Sequence, residues 1–167
     1  MRPRVFPALL LILLGPAAGS LAQERRNWFD DPFLQVTSGL ADCPVPLGPL
    51  MTAEEMRREQ HDRTQRGTSC WLDGRCRLPN AYLYDKEIAP RVKQAVDADG
   101  RFGATTSVWI VAQRRQVFLQ GCVQRREQAD ALAAVVRRID DVEGVVDETM
   151  VGTQGTAPYR LRDGVVK

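Results

Sequence analysis

The sequence has a single histidine, His61, and no Cys-x-x-Cys pair. A redox dithiol of the usual spacing is therefore absent, any Cys-His-Asn or Cys-His-Asp set would have to be built around one imidazole, and nothing at i+4 or beyond supplies His61 with second and third metal ligands. The Ser, Asp and Glu residues fall at helix caps and in solvated polar stretches, and His61 lies between Gln60 and Asp62 in one of them. No catalytic residue, metal or cofactor is expected. Apolar runs are also short. The longest, Val5 to Leu14, is interrupted by Pro7 and closed by Gly15-Pro16, well under the ~20 residues that span a bilayer. No cysteine precedes Cys43, so the thiol that a lipoprotein acylates near its new N-terminus is missing.

Arg2 and Arg4, the apolar segment Leu9 to Leu14, and the small residues of Ser20-Leu21-Ala22 occur in the order of a cleavable signal peptide. Residues 1–22 are read as that signal, which leaves a periplasmic, soluble protein beginning at Gln23. Cleavage removes two arginines and no acid, leaving 21 basic against 21 acidic residues. The basic residues come as dispersed pairs such as Arg57-Arg58, Arg114-Arg115 and Arg137-Arg138, most of them beside acids. Nucleic-acid binding through counterion release needs a clustered excess, so no nucleic-acid partner is expected.

Four cysteines in an exported chain read as two disulfides. Three connectivities are possible. Cys70-Trp71-Leu72-Asp73-Gly74-Arg75-Cys76 favours one, because a turn at Leu72-Asp73 with Gly74 at positive φ would make a hairpin placing Cys70 across from Cys76. Cys43 then remains for Cys122.

Residues 23–84 divide into three parts. Gln23 to Leu50, rich in Pro and aromatics, reads as an extended arm with little regular structure. Thr52-Ala53-Glu54-Glu55 is a capping-box signature opening a nearly all-polar helix to about Arg66, and the Cys70–Cys76 hairpin follows. From Asp85 the periodicities become those of a compact α/β unit. Ile88, Val92 and Val96 recur at helical spacing up to Gly100, a left-handed cap, with Pro90 placed in the first turn. Val108, Ile110 and Ala112 alternate with Trp109 and Val111, and Val117, Leu119, Gly121 and Val123 alternate with Phe118 and Cys122. These are two strands of a hairpin turning at Gln113 to Gln116. Arg126 to Arg138 reads as a second helix, Gly144 to Val151 as a third strand, and residues 152–167 as a flexible tail.

The Ile-x3-Val-x3-Val helix, the Val-x-Ile strand and above all the Val-x-Leu-x-Gly-x-Val strand before the second helix resemble the BON domain of bacterial envelope proteins, over residues 85–151. The hairpin turn departs from the family, which usually has Gly where this chain has Arg114-Arg115, and the Gly-Val after the second helix reads Asp141-Val142. The resemblance implies an α+β fold in the order α-β-β-α-β, with two helices on one face of a three-stranded mixed sheet. It also implies a non-catalytic periplasmic protein binding phospholipid headgroups or envelope proteins in envelope maintenance or stress.

Two docking surfaces are expected. Arg91, Lys93, Arg125 and Arg126, near helix ends, are candidate contacts for an anionic headgroup, although residues 85–151 carry ten basic against eleven acidic residues. Trp109, Val111 and Phe118 would form an apolar patch on the sheet face away from the helices. That patch is either covered by the chain's own arm or used for an envelope protein partner. By alternation Cys122 points to the same side, so a bond to Cys43 would draw the arm across it.

Overall fold

The computed structural model describes residues 24–162; the expected signal segment and the last five residues lie outside them. Thr52 opens α1 (Ala53–Gly67) with the expected capping box, its hydroxyl accepting from the Glu55 amide at 3.2 Å while Glu55 accepts from the Thr52 amide at 2.7 Å. A single helical turn, α2 (Ser69–Leu72), and a 3-10 turn (Ala81–Tyr84) lead into α3 (Asp85–Asp99), which ends on Gly100 at φ 73°. Strands β2 (Thr106–Gln113) and β3 (Gln116–Val123) form the hairpin, α4 (Arg126–Val136) crosses over, and β4 (Gly144–Val151) returns parallel to β3.

Alternation settles the two faces. Val108, Ile110, Ala112, Val117, Leu119 and Val123 are fully buried, against Ile88, Val92 and Val96 of α3 and Ala129, Leu132 and Val136 of α4. Gly121 is required by its neighbour: a Cβ there would sit 2.1 Å from the Ser107 carbonyl oxygen, and its φ of 135° is one that L residues rarely adopt.

Four expectations are corrected. The sheet has four strands, in the order β1-β2-β3-β4, because Phe33–Ser38 of the arm forms β1 and pairs antiparallel with β2. The segment hides its strand character behind a register shift between Gln35 and Thr37, and it becomes a strand only by completing the free edge of β2. The segment between Cys70 and Cys76 is a helical turn instead of a hairpin, since Leu72 and Asp73 donate back to Thr68 and Ser69 while Gly74, at φ 68°, ends the turn. Pro90 lies in the second turn of α3, which begins at Asp85. The described part of the tail is docked: Leu47 donates to Arg160, Arg162 donates to Val45, and the buried Tyr159 hydroxyl donates to the Pro44 carbonyl at 2.8 Å.

The cysteines are bonded Cys43–Cys122 and Cys70–Cys76. With 79 residues of separation the first closes a long loop, worth about 4.5 kcal/mol in the chain-entropy treatment, against about 2.4 kcal/mol for the short one. The long bond fastens the arm to the outer face of the sheet, where Cys43, Cys122 and Met150 pack with Leu40, Trp109 and Ala157.

A buried ion pair fixes the arm a second time. Arg63 of α1 donates through both terminal nitrogens to the two carboxylate oxygens of Asp31, one at 2.8 Å, and its guanidinium lies 4.0 Å from the Phe29 ring centroid and 4.3 Å from that of Tyr82. Gln113 on the outer face of β2 donates to the same carboxylate at 3.0 Å. The polar helix, which has no broad apolar stripe, is thus held by an arginine that joins arm, helix and sheet, and by Glu55, which accepts from Arg25 and Arg160 at 2.9 and 3.1 Å.

Candidate functional site

The four helix-end cations do not form one site. Arg91 donates to Glu87, Asp141 and the Asp140 carbonyl, beyond the C-terminal end of α4. Arg126 sits at the N-terminal end of α4, about 16 Å away along a helix of eleven residues, and is paired with Asp147 at 2.6 Å. Lys93 is paired with Asp97 within its own helix. Arg125 alone among the four has no carboxylate partner among the described residues, and its amide is held by the Gln128 side chain at 2.9 Å.

The outer face is not open either. Val111 is buried, Trp109 and Phe118 are half-buried, and the cleft beside Val111 and Phe118 is walled by Pro49, Leu50 and Met51 of the arm and by Glu59 of α1. Trp109, Val111 and Phe118 share the face turned away from the helices, and the arm lies along it.

A third region, at the tip of the β2–β3 hairpin, gathers residues from four elements. Arg114 and Arg115 both adopt positive φ, 54° and 63°, and Asp141 does so at 72°. Glycine is the residue best suited to such a backbone, and this chain has none at these three positions. Asp85, at the first position of α3 and almost wholly buried, stabilises the tip by accepting the amides of Arg114 and Arg115, each at 2.7 Å. Burial raises its pKa to about 6, with those two hydrogen bonds opposing.

The side chain of Arg115 then turns inward. Its Nε donates to the Asp141 carbonyl at 2.8 Å, its Nη1 lies 3.2 Å from Cys76 Sγ, and its guanidinium is 5.0 Å from the Tyr84 ring centroid. Arg77 stacks at 4.7 Å on Tyr84 and shares the Asp141 carboxylate with Arg91, at 2.9 and 3.1 Å. Against the desolvation of its site, hydrogen bonds from Arg77 and Arg91 hold the Asp141 carboxyl below the ordinary range.

Above this cluster stands the Cys70–Cys76 loop. Its cysteines are buried in the main core, yet Trp71 is 47% and Leu72 77% exposed, and Asp73, Gly74 and Arg75 are exposed as well. The bond constrains the loop, so this apolar pair is presented with little ordering left to do on contact. Sequence reasoning had placed the loop without assigning it a role. The available signal was a Trp-Leu pair between two closely spaced cysteines, too small a ring to bury either side chain.

Among the described residues no helix is long and apolar enough to cross a membrane, and no group of three His, Cys, Asp or Glu side chains is placed to hold a metal ion. No curated protein and no solved structure matches the chain. A family model does match, that described as BON domain, over residues 84–153. The helix-strand-strand-helix-strand unit in the C-terminal half of this chain is thus the part that is similar to the BON domain.

Proposed function

We propose that the protein is a non-catalytic periplasmic module of the cell envelope that docks on anionic phospholipid through the Cys70–Cys76 loop. The observation that carries this reading is the exposure of Trp71 and Leu72 on a disulfide-closed turn flanked by Arg66, Arg75 and Arg77. An indole, a leucine and arginines at one tip match the amphipathic belt where headgroup meets hydrocarbon. The BON domain supports the choice of an envelope role, and the two disulfides support an oxidising compartment.

Magnitudes decide what kind of surface is needed. Burying Trp71 and Leu72 supplies about 2–4 kcal/mol, whereas even a millimolar dissociation constant corresponds to roughly 4 kcal/mol beyond the rigid-body cost of association. Apolar insertion alone is therefore insufficient. Each arginine near an anionic leaflet adds about 1 kcal/mol, and residues 66–77 hold three arginines against one aspartate. Their pairs with Asp62, Asp73, Glu87 and Asp141 involve arginines more than half exposed, and exposed pairs are worth so little that lipid phosphates compete with them. The outer sheet face, the other docking surface considered, carries less weight because the arm lies over it.

Co-sedimentation of residues 23–167 with anionic vesicles, compared with zwitterionic ones, tests the proposal. Pelleting with the anionic vesicles only, weakened by salt and reduced about 30-fold or more by Trp71→Ala with Leu72→Ala, is the expected result. Undiminished pelleting of that variant would remove the loop as the anchor. No pelleting at all would favour an envelope protein as the partner.

A further inference from the structure

We propose that Cys70–Cys76 is a redox-active disulfide, opened by a dithiol reductant, with the Arg115 guanidinium holding the departing sulfur of Cys76. The inference is independent of the lipid reading, since it concerns the chemistry of the bond beneath the loop and not what the loop touches.

Two observations meet at this bond. The hairpin tip carries two arginines in the left-handed region, where glycine is unstrained, and Asp85 pins both amides. A glycine would serve that backbone better and would remove the guanidinium. The second observation is where that guanidinium lies. Its Nη1 is 3.2 Å from Cys76 Sγ, while the nearby Glu143 carboxylate is 3.9 Å away. A disulfide sulfur is a weak acceptor, a poor use of a charged donor. A thiolate in the same place is a strong partner, and cationic neighbours are what lower a thiol's pKa.

The exchange balances as follows in atoms and electrons. A thiolate of the reductant attacks Sγ of Cys70, and the electron pair of the breaking S–S bond passes to Sγ of Cys76, which leaves as a thiolate beside Arg115. The reductant's second thiol loses its proton and attacks the mixed disulfide, so that Cys70 is released and protonated. Two electrons pass from the dithiol to the cysteine pair, and the dithiol closes to its own disulfide. A leaving thiol of low pKa speeds the first step. The second bond has no such help: Cys43 Sγ faces the Ser107 carbonyl oxygen at 3.5 Å, and no guanidinium or ammonium is bonded to either of its sulfurs among the described residues. Opening also frees Trp71 and Leu72, because only the one turn of α2 and two further backbone hydrogen bonds, Gly74 to Trp71 and Arg75 to Cys70, then shape the loop.

The test is timed reduction of residues 23–167 by dithiothreitol, with alkylation and peptide mass mapping to count each bond. Cys70–Cys76 is expected to open at least about tenfold faster than Cys43–Cys122. Arg115→Gln should slow it about threefold for each pH unit of thiol acidity lost, at a sensitivity of roughly half a logarithmic unit. Arg115→Lys should recover most of the rate. Opening of Cys43–Cys122 first or at the same rate, or no slowing in Arg115→Gln while Cys43–Cys122 opens at its usual rate, would overturn the proposal. Should Arg115→Gln loosen the whole fold, seen as faster opening of both bonds, the pH profile of Cys76 alkylation in Cys70→Ser decides. A midpoint below the ordinary ~8.5 supports the assignment, and one at or above it refutes it.

Discussion

Replacing Arg63 by methionine should destabilise the protein by about 3–5 kcal/mol, because it strands a buried carboxylate. The Arg63 side chain is 10% exposed and that of Asp31 only 4%. Methionine keeps an unbranched stem between the Phe29 and Tyr82 rings, so the cavity term is small. What disappears is a two-point ion pair and two cation–π contacts, the latter about 1 kcal/mol each. Gln113 then remains as the one side-chain donor to the Asp31 carboxylate among the described residues. At about 3 °C per kcal/mol for a domain of this size, the melting temperature should fall roughly 9–15 °C. Adding Asp31→Asn removes the stranded charge and should restore about 2 kcal/mol. Urea titrations followed by circular dichroism at pH 7 give these differences directly. A loss below about 1 kcal/mol in Arg63→Met, or a double variant no better than the single one, would refute the claim that this pair fastens the arm.

Three further outcomes are expected. Burial holds the Asp85 pKa at about 6, above its ordinary 3.8, so the folded protein binds this proton more readily than the unfolded chain. Its contribution is fully present well below pH 4 and is lost as pH rises through about 6, amounting to about 3 kcal/mol in all; the stability difference between wild type and Asp85→Asn should change by about 2.4 kcal/mol between pH 4 and pH 7, and a flat difference would contradict it. Gly121→Ala should destabilise by about 3 kcal/mol or more in chemical denaturation, since its Cβ meets the Ser107 backbone and not a movable side chain. A fragment of residues 84–167 is expected to keep α/β circular dichroism yet self-associate by light scattering, because removing β1 bares the edge of β2 and removing the arm bares Trp109 and Phe118; an unfolded fragment would place the arm inside the folding unit.

The BON half was legible because its signals are local and periodic: Ile88, Val92 and Val96 on one helical face, Val117, Leu119 and Val123 on one strand face, and Gly100 at a left-handed cap. The capping box at Thr52 was legible for the same reason. What stayed hidden depends on distant partners. Phe33–Ser38 is a strand only beside β2, with a register shift that breaks its alternation. Arg63, in a helix of charged residues, reads as solvated until Asp31, Phe29 and Tyr82 are brought around it. The turn containing Arg114 and Arg115 was placed by the alternation around it, but the positive φ of these two and of Asp141 was not, because non-glycine residues there depend on context, here the Asp85 carboxylate for the first two. Four arginine and lysine positions near helix ends looked like a headgroup site, yet α3 and α4 set them apart, with Arg125 and Arg126 at the N-terminal end of α4 and Arg91 beyond its C-terminal end.

The central claim, that the Cys70–Cys76 loop docks on anionic phospholipid, is tested most directly by the fluorescence of Trp71 as the sole indole, in protein carrying Trp28→Phe and Trp109→Phe. On titration with anionic vesicles its emission should shift to the blue and become shielded from acrylamide, and zwitterionic vesicles should leave it unchanged. An emission maximum and quenching that do not move, in a sample where the protein pellets with the vesicles, would show that the membrane is met by some other surface.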